Sequence, residues 1–169
     1  MNKLLTVVLF GFLVASGLQA QAKRQPQFEE YPAPTTFKGK PVRAKIVGRR
    51  ARLFRTVIRE GASQGPNFAG HYTLVMWGCG ASCQMLAIVD ARTGAVYIPA
   101  GRLQLETSPW AGTDPLAEEE PIQFRKDSRL LVLVGGGYFG NKARRKGKYF
   151  YEWRGNRLGL ISSIQRHYY

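Results

Sequence analysis

Two cysteines and a histidine are the residues of this chain that come closest to a reactive constellation. Cys79 and Cys83 lie four positions apart in the segment WGCGASC, and His71 precedes them in the sequence. A thiolate beside a histidine base can act as a nucleophile, for example in an acyl- or peptide-cleaving enzyme. The same cysteines can instead form a disulfide or ligate a metal.

The signal-like residues 1–22 indicate export to an oxidising compartment, which favours a disulfide between the cysteines. Their spacing also argues against a redox site. The pattern is C-x3-C, whereas thiol oxidoreductases use C-x2-C. Two thiolates and His71 supply only three of the four ligands that a zinc site needs. The sequence shows no third group to orient a His71 base, and a histidine at the start of a strand is typical of structural hydrogen bonding. We therefore predict a structural Cys79–Cys83 disulfide, no metal and no cofactor, with thiol catalysis as the alternative.

Carboxylates and glycines offer weaker candidates. Glu118, Glu119 and Glu120 are consecutive in a proline-flanked loop, whereas a carboxylate pair for glycoside cleavage must be held at a set separation. The segment GGGYFGNK at 135–142 lacks the Lys-Ser/Thr spacing of a phosphate-binding loop, and no helix pattern follows it. The sequence therefore predicts neither an acid–base hydrolase nor a nucleotide site.

Clustered cations are the strongest functional signal. Five of them lie within seven residues, interleaved with tyrosines and phenylalanines: Lys142, Arg144, Arg145, Lys146 and Lys148. A basic loop with aromatic side chains can bind a polyanion or a single-stranded nucleic acid. The alternative is a solubilising hairpin tip whose aromatic residues pack within the sheet.

A second basic group lies on a predicted helix. Arg52, Arg55 and Arg59 fall at i, i+3 and i+7, away from an apolar stripe that begins at Leu53. The alternative is an ordinary solvated helix face. If the two basic groups converge into one surface, its binding to an anionic partner should weaken steeply with salt.

The elements that would position these residues are mostly strands. Periodicity predicts one amphipathic helix over about 49–62. From Gly70 onward, period-two apolar segments alternate with turn signals such as 90–94 and 154–157. Residues 23–42 are proline-rich and predict an extended arm that packs only in part, and Val42 to Val47 predicts a first strand. We expect a mainly β (α+β) fold: antiparallel sheets of about eight strands with the helix packed on them, in a single domain over 43–169.

Residues 1–22 have the pattern of a signal peptide. Lys3 is followed by an apolar run to Val14 and by small residues, with cleavage after Ala20 or Ala22. The apolar run is shorter than the ~20 residues of a membrane-spanning helix, so no anchor is expected after cleavage. The protein is therefore expected in the periplasm or outside the cell, where disulfides form.

Composition limits the class of protein. The 169 residues include 25 Lys and Arg against 11 Asp and Glu, which gives a formal net charge of +14. With 44% hydrophobic and 12% aromatic residues, the chain is not a disordered polycation. Its length suits one domain with its own core.

The segment from Pro66 to Val96 resembles a pattern in a family of small exported bacterial proteins, NFAGHY…WGCGxxCQ…DxxTGxV, which has no established activity. The matching residues include Asn67, His71, Trp77, Cys79, Cys83, Gln84, Asp90, Thr93 and Gly94. The resemblance implies export and the disulfide but no chemistry, so Asn67, His71, Trp77 and Gln84 have no assigned role.

Together these features predict an exported, non-enzymatic binding domain. Its basic surface would meet an anionic macromolecule or an acidic envelope protein, in the manner of an inhibitor or immunity protein. The alternatives are a Cys/His-dependent hydrolase and a structural envelope protein that assembles through its strand edges.

Overall fold

The computed structural model describes residues 24–80, 83–99, 102–106, 119–140 and 142–165, with the backbone alone for 102–106, 137–140 and 142–144. The predicted signal peptide, over 1–22, lies outside the described residues. So does the whole stretch from 107 to 118, including Glu118.

The described residues form two α-helices, one short 3-10 helix (Phe28–Glu30) and eight strands, and every strand pair is antiparallel. The elements are α1 (Gly48–Leu53), α2 (Arg55–Ser63), β1 (Tyr72–Gly80), β2 (Cys83–Asp90), β3 (Val96–Tyr97), β4 (Arg102–Glu106), β5 (Ile122–Phe124), β6 (Leu130–Gly140), β7 (Lys142–Arg154) and β8 (Arg157–Gln165). The predicted fold class of about eight antiparallel strands with helix packed on them is confirmed.

The sheet has two parts that face each other across the main core. The strand order is β1-β2-β4-β6-β7-β8, with β3 paired to β2 and β5 paired to β6. Leu86 and Ile88 of β2 lie in one buried cluster with Leu131 and Leu133 of β6 and with Tyr149 of β7. The link through β4 therefore lets one continuous sheet form both walls of a core.

Both outer faces of the sheet are also covered. Because side chains alternate along a strand, Val75 and Val89 point away from the main core. They pack with Ile58 of α2 in a second cluster. On the other side, Val132 and Phe150 form a third cluster, against which Phe28 and Tyr31 of the N-terminal arm pack.

Residues 48–63 form two short helices instead of the single predicted helix. Phe54 leaves the helical conformation, with φ −111° and ψ 22°. Its ring lies 4.9 Å from the ring of Trp77 in β1. Leu53 was expected in the apolar stripe, but it is 69% exposed, whereas Ile58 is fully buried. The break lets Phe54 pack on the sheet at the expense of Leu53.

The N-terminal arm is bound over much of its length, which exceeds the predicted partial packing. Ala33 donates its backbone N–H to the Asp127 carbonyl at 2.8 Å, and Val42 donates to the Ala91 carbonyl at 2.8 Å. The strand predicted from Val42 to Val47 is wrong: this stretch has no ladder and is held by the turn between β2 and β3.

The arm makes its closest approach at Gly70, in the loop before β1. Gly70 has φ +83°, and a Cβ there would lie 1.8 Å from the backbone oxygen of Thr35. Its N–H donates to the Lys126 carbonyl at 2.6 Å, and its carbonyl accepts from Phe37 N–H at 3.0 Å. Gly70 thus joins the arm, the β1 loop and the β5–β6 turn.

Replacing Gly70 with alanine should strongly destabilise the protein. The expected cost is about 3 kcal/mol or more, from left-handed strain and from displacement of the arm. The control is Gly155→Ala, which has φ +56° but no atom within 4 Å of the new Cβ, and which should cost only about 1 kcal/mol. Urea denaturation measures both, and equal losses would contradict the proposed role of the close approach.

Candidate functional site

The two cysteines form the predicted disulfide. Cys79 and Cys83 are bonded, with their Cα atoms 5.1 Å apart, at the end of β1 and the start of β2. The chain has two cysteines in all, so the bond leaves no free thiol. His71 precedes the first residue of β1, about 26 Å from Cys79 at the usual rise per strand residue. The structure therefore does not bring together the cysteine and histidine of the predicted alternative hydrolase.

Asn67 and Trp77 have structural contacts. The Asn67 side chain donates to the Leu74 carbonyl at 3.1 Å and accepts the Leu74 N–H at 2.7 Å. This pair of bonds closes the loop onto β1.

Trp77 packs on Phe54, and its buried Nε1 has no hydrogen-bond partner among the described residues. Gln84 is half-buried in β2 and pairs with Leu105 of β4.

His71 lies in a polar cluster beside the turn that follows β2. It is 5% exposed, and its Nε2 is 2.6 Å from a guanidinium nitrogen of Arg92. A guanidinium only donates, so Nε2 must accept and the ring proton must lie on Nδ1. Asp90 accepts the Arg92 backbone N–H at 2.8 Å and forms an ion pair with its side chain.

This environment keeps His71 neutral. Burial lowers the pKa of His71 below its ordinary value, and the positive charge of Arg92 lowers that pKa further, against a smaller opposing effect of Asp90. Nδ1 is buried and has no hydrogen-bond partner among the described residues. The Nδ1–H of His71 is thus a buried donor without a hydrogen-bond partner among the described residues.

A cleft of about 380 Å³ lies beside His71. Its lining combines apolar, aromatic and cationic side chains from four parts of the chain: Pro32, Pro34, Ala69, His71, Tyr72, Arg129, Trp153, Arg154 and Gly155. The Tyr72 hydroxyl donates to Asn156 Oδ1 at 3.0 Å, and the Tyr72 and Trp153 rings meet edge to face at 5.2 Å. Pockets of this size with few polar groups are typical of small-molecule sites.

Of the residues that line this cleft, His71 alone was a candidate site residue from the sequence, and the cleft itself was not predicted. Arg129 and Arg154 were not distinguished from other surface arginines, because only the pairing of β6 with β7 brings them together on Glu152. The predicted turn at 154–157 is confirmed, and it places Arg154 at the edge of the cleft.

The predicted helical cations belong to a longer basic stretch. Arg52, Arg55 and Arg59 are all exposed. Residues 38–59, here called the basic segment, contain nine cations and no Asp or Glu: Lys38, Lys40, Arg43, Lys45, Arg49, Arg50, Arg52, Arg55 and Arg59. Except for Arg50, which is half-buried, each is exposed, and none of these eight forms an ion pair with a described carboxylate.

The second predicted basic group was expected in a loop, which is wrong: it lies on strand β7, because β6 and β7 pair almost to residue 141. The group is also less uniform than the first. Lys148 forms an ion pair with Glu119 at 2.6 Å, and its side chain is 15% exposed. Arg145 is exposed and Lys146 half-buried, whereas the side chains of Lys142 and Arg144 lie outside the described residues. The first basic group lies on the helices, of which α2 contacts β1. In the sheet order, β2, β4 and β6 lie between β1 and β7, which carries the second group.

Comparison with protein-family models, with curated proteins and with solved structures finds no match. Function therefore has to be argued from the basic segment and the cleft. The described residues contain no group of three or more histidine, cysteine or acidic side chains placed to hold a metal.

The low pKa of His71 is directly measurable, because His71 and His167 are the two histidines of the chain. In a His167→Gln variant, the ring-proton NMR signals report His71 alone. We expect its pKa below about 6.5, the usual histidine value. Since the unfolded chain then binds more protons than the folded one, stability should also fall as pH drops below about 6.5. A pKa at or above 6.5 would contradict the buried, Arg92-facing geometry.

Proposed function

We propose that this protein is an exported binding protein that captures an anionic macromolecule through its basic segment. The observation that carries the proposal is the run of nine cations without an acid over residues 38–59. Eight of them are exposed and free of ion pairs with the described carboxylates. Such a surface attracts polyanions and accelerates their association.

The distribution of ion pairs supports this assignment. Six described carboxylates already pair with cations outside the basic segment: Glu29, Glu30, Asp90, Glu119, Asp127 and Glu152. These pairs neutralise other parts of the surface. None of the six carboxylates is paired with the basic segment, so the eight exposed cations of that segment remain accessible to an anionic partner.

The cellular location in the proposal rests on two features. The signal-like segment over 1–22 precedes the described residues, and the Cys79–Cys83 disulfide fits an oxidising compartment. None of the helices in the described part of the chain is long and apolar enough to cross a membrane. In its sharpest form, the proposal makes the protein an inhibitor of an acidic envelope enzyme, because a charged surface suits partner selection.

Neutralising three helical arginines should weaken polyanion binding more than an equal loss of charge elsewhere. The test compares Arg52→Gln/Arg55→Gln/Arg59→Gln with the matched variant Arg24→Gln/Lys126→Gln/Arg157→Gln. Both variants have a net charge of 14 − 3 = +11. On a heparin column, the helix variant should elute at a clearly lower salt concentration than the matched variant, because fewer counterions are released on binding.

Elution of both variants at the same salt concentration would show that net charge alone matters and would contradict the proposal.

A pull-down from envelope extract at physiological salt then identifies the partner. The wild-type protein and the matched variant should retain the same specific partner, and the helix variant should lose it. Recovery of no specific partner by the wild-type protein would overturn the proposed function.

A further inference from the structure

The cleft beside His71 carries an inference that is independent of the basic segment. Its lining contains no residue from 38–59. It is built from the arm, the loop before β1 with the first residue of β1, the residue before β6, and the end of β7 with the turn that follows. Its polar groups are few, and three of them are hydrogen-bonded to other residues: His71, Tyr72 and Arg129. That combination is typical of a preformed small-molecule site.

At the cationic side of the cleft, Arg129 and Arg154 share the single carboxylate of Glu152, which leaves a surplus of one positive charge. Arg129 and Arg154 both contact the same carboxylate oxygen of Glu152, Oε1, and the second of these contacts is 3.1 Å long. The Arg129 side chain is 25% exposed, and its Nε also donates to the Pro32 carbonyl at 3.0 Å. Arg154 is 75% exposed. Arg129 is thus fixed in place, whereas Arg154 can turn towards a ligand.

The rest of the lining is apolar or aromatic. Pro32, Pro34 and Ala69 supply the aliphatic part, and Tyr72 and Trp153 supply aromatic rings. His71 adds a ring that is 95% buried, given its exposure of 5%, with an unpartnered Nδ1. A buried donor without a partner costs free energy, and such groups in native proteins call for an explanation.

We propose that the cleft binds a small organic carboxylate with a ring-shaped, largely apolar body. The carboxylate lies against the guanidinium groups of Arg154 and Arg129, which match its geometry with paired N–H donors. The ring lies along Pro34, Tyr72 and the edge of Trp153. The surplus positive charge selects against cations, and the apolar walls select against small hydrophilic anions.

Benzoate and its neutral isostere benzamide test the proposal on the whole protein. The protein has three tryptophans, so indole N–H signals in an NMR titration, assigned with Trp153→Phe, report the site directly. Benzoate should shift the Trp153 signal with a dissociation constant on the order of 1 mM, typical of a ligand with so few atoms. Benzamide should bind at least tenfold more weakly, because it lacks the charge.

Variants separate the cleft from general attraction to a basic protein. Arg154→Gln should weaken benzoate binding about tenfold, the effect of one charge-assisted contact. The matched control is Arg157→Gln, an exposed arginine at the other end of the same turn, which should leave binding unchanged. Arg52→Gln/Arg55→Gln/Arg59→Gln should also leave it unchanged.

Three results would overturn the proposal. The first is equal affinity for benzoate and benzamide. The second is no shift of the Trp153 signal at 10 mM benzoate, about ten times the expected dissociation constant. The third is an equal loss of benzoate affinity in the Arg154→Gln and Arg157→Gln variants. Unchanged thermal melting of each variant shows that a loss of binding is not a loss of folding.

Discussion

The backbone oxygen of Thr35 occupies the space that a Cβ at position 70 would need, 1.8 Å away. This approach is possible only because residue 70 is a glycine, and hydrogen bonds from both sides hold it in place. Gly70 N–H donates to Lys126, and Phe37 N–H donates to Gly70. Three segments that are distant in the sequence are thereby joined at one residue. The packing of the arm on both sides of this point depends on that junction.

The two candidate functional regions lie on either side of the junction. Before Thr35, the arm packs Phe28 and Tyr31 on the outer face of β6 and β7 and contributes Pro32 and Pro34 to the cleft. After Thr35, the chain becomes the basic segment and runs into the helices that cover β1 and β2. The same contact therefore places one wall of the cleft and the start of the cationic surface. Release of the arm should disturb both.

Local patterns predicted most of the strands and the exposed arginines, because period-two alternation and helical spacing are recorded within a few residues. The signal-like residues 1–22 and the cysteine spacing predicted the disulfide. No local pattern predicted β4 or the strand conformation of the basic residues in β7. Features that depend on distant residues were not predictable in this way. Phe54 breaks the helix because Trp77 in β1 offers it a packing surface. Arg129 and Arg154 meet on Glu152 only when β6 pairs with β7. The arm has no periodicity, so its hydrogen bonds to residues 70, 91 and 127 could not be predicted from a local pattern.

Native-state hydrogen exchange of backbone amides tests most directly whether the arm is locked at Gly70. The amide of Gly70, bonded to Lys126 at 2.6 Å, and that of Phe37, bonded to Gly70 at 3.0 Å, are the critical groups. We predict that both exchange only through global unfolding, as slowly as the core amides of Leu131 and Leu133. Exchange of Gly70 and Phe37 well before those core amides would show that the arm opens independently of the core. That result would contradict the account.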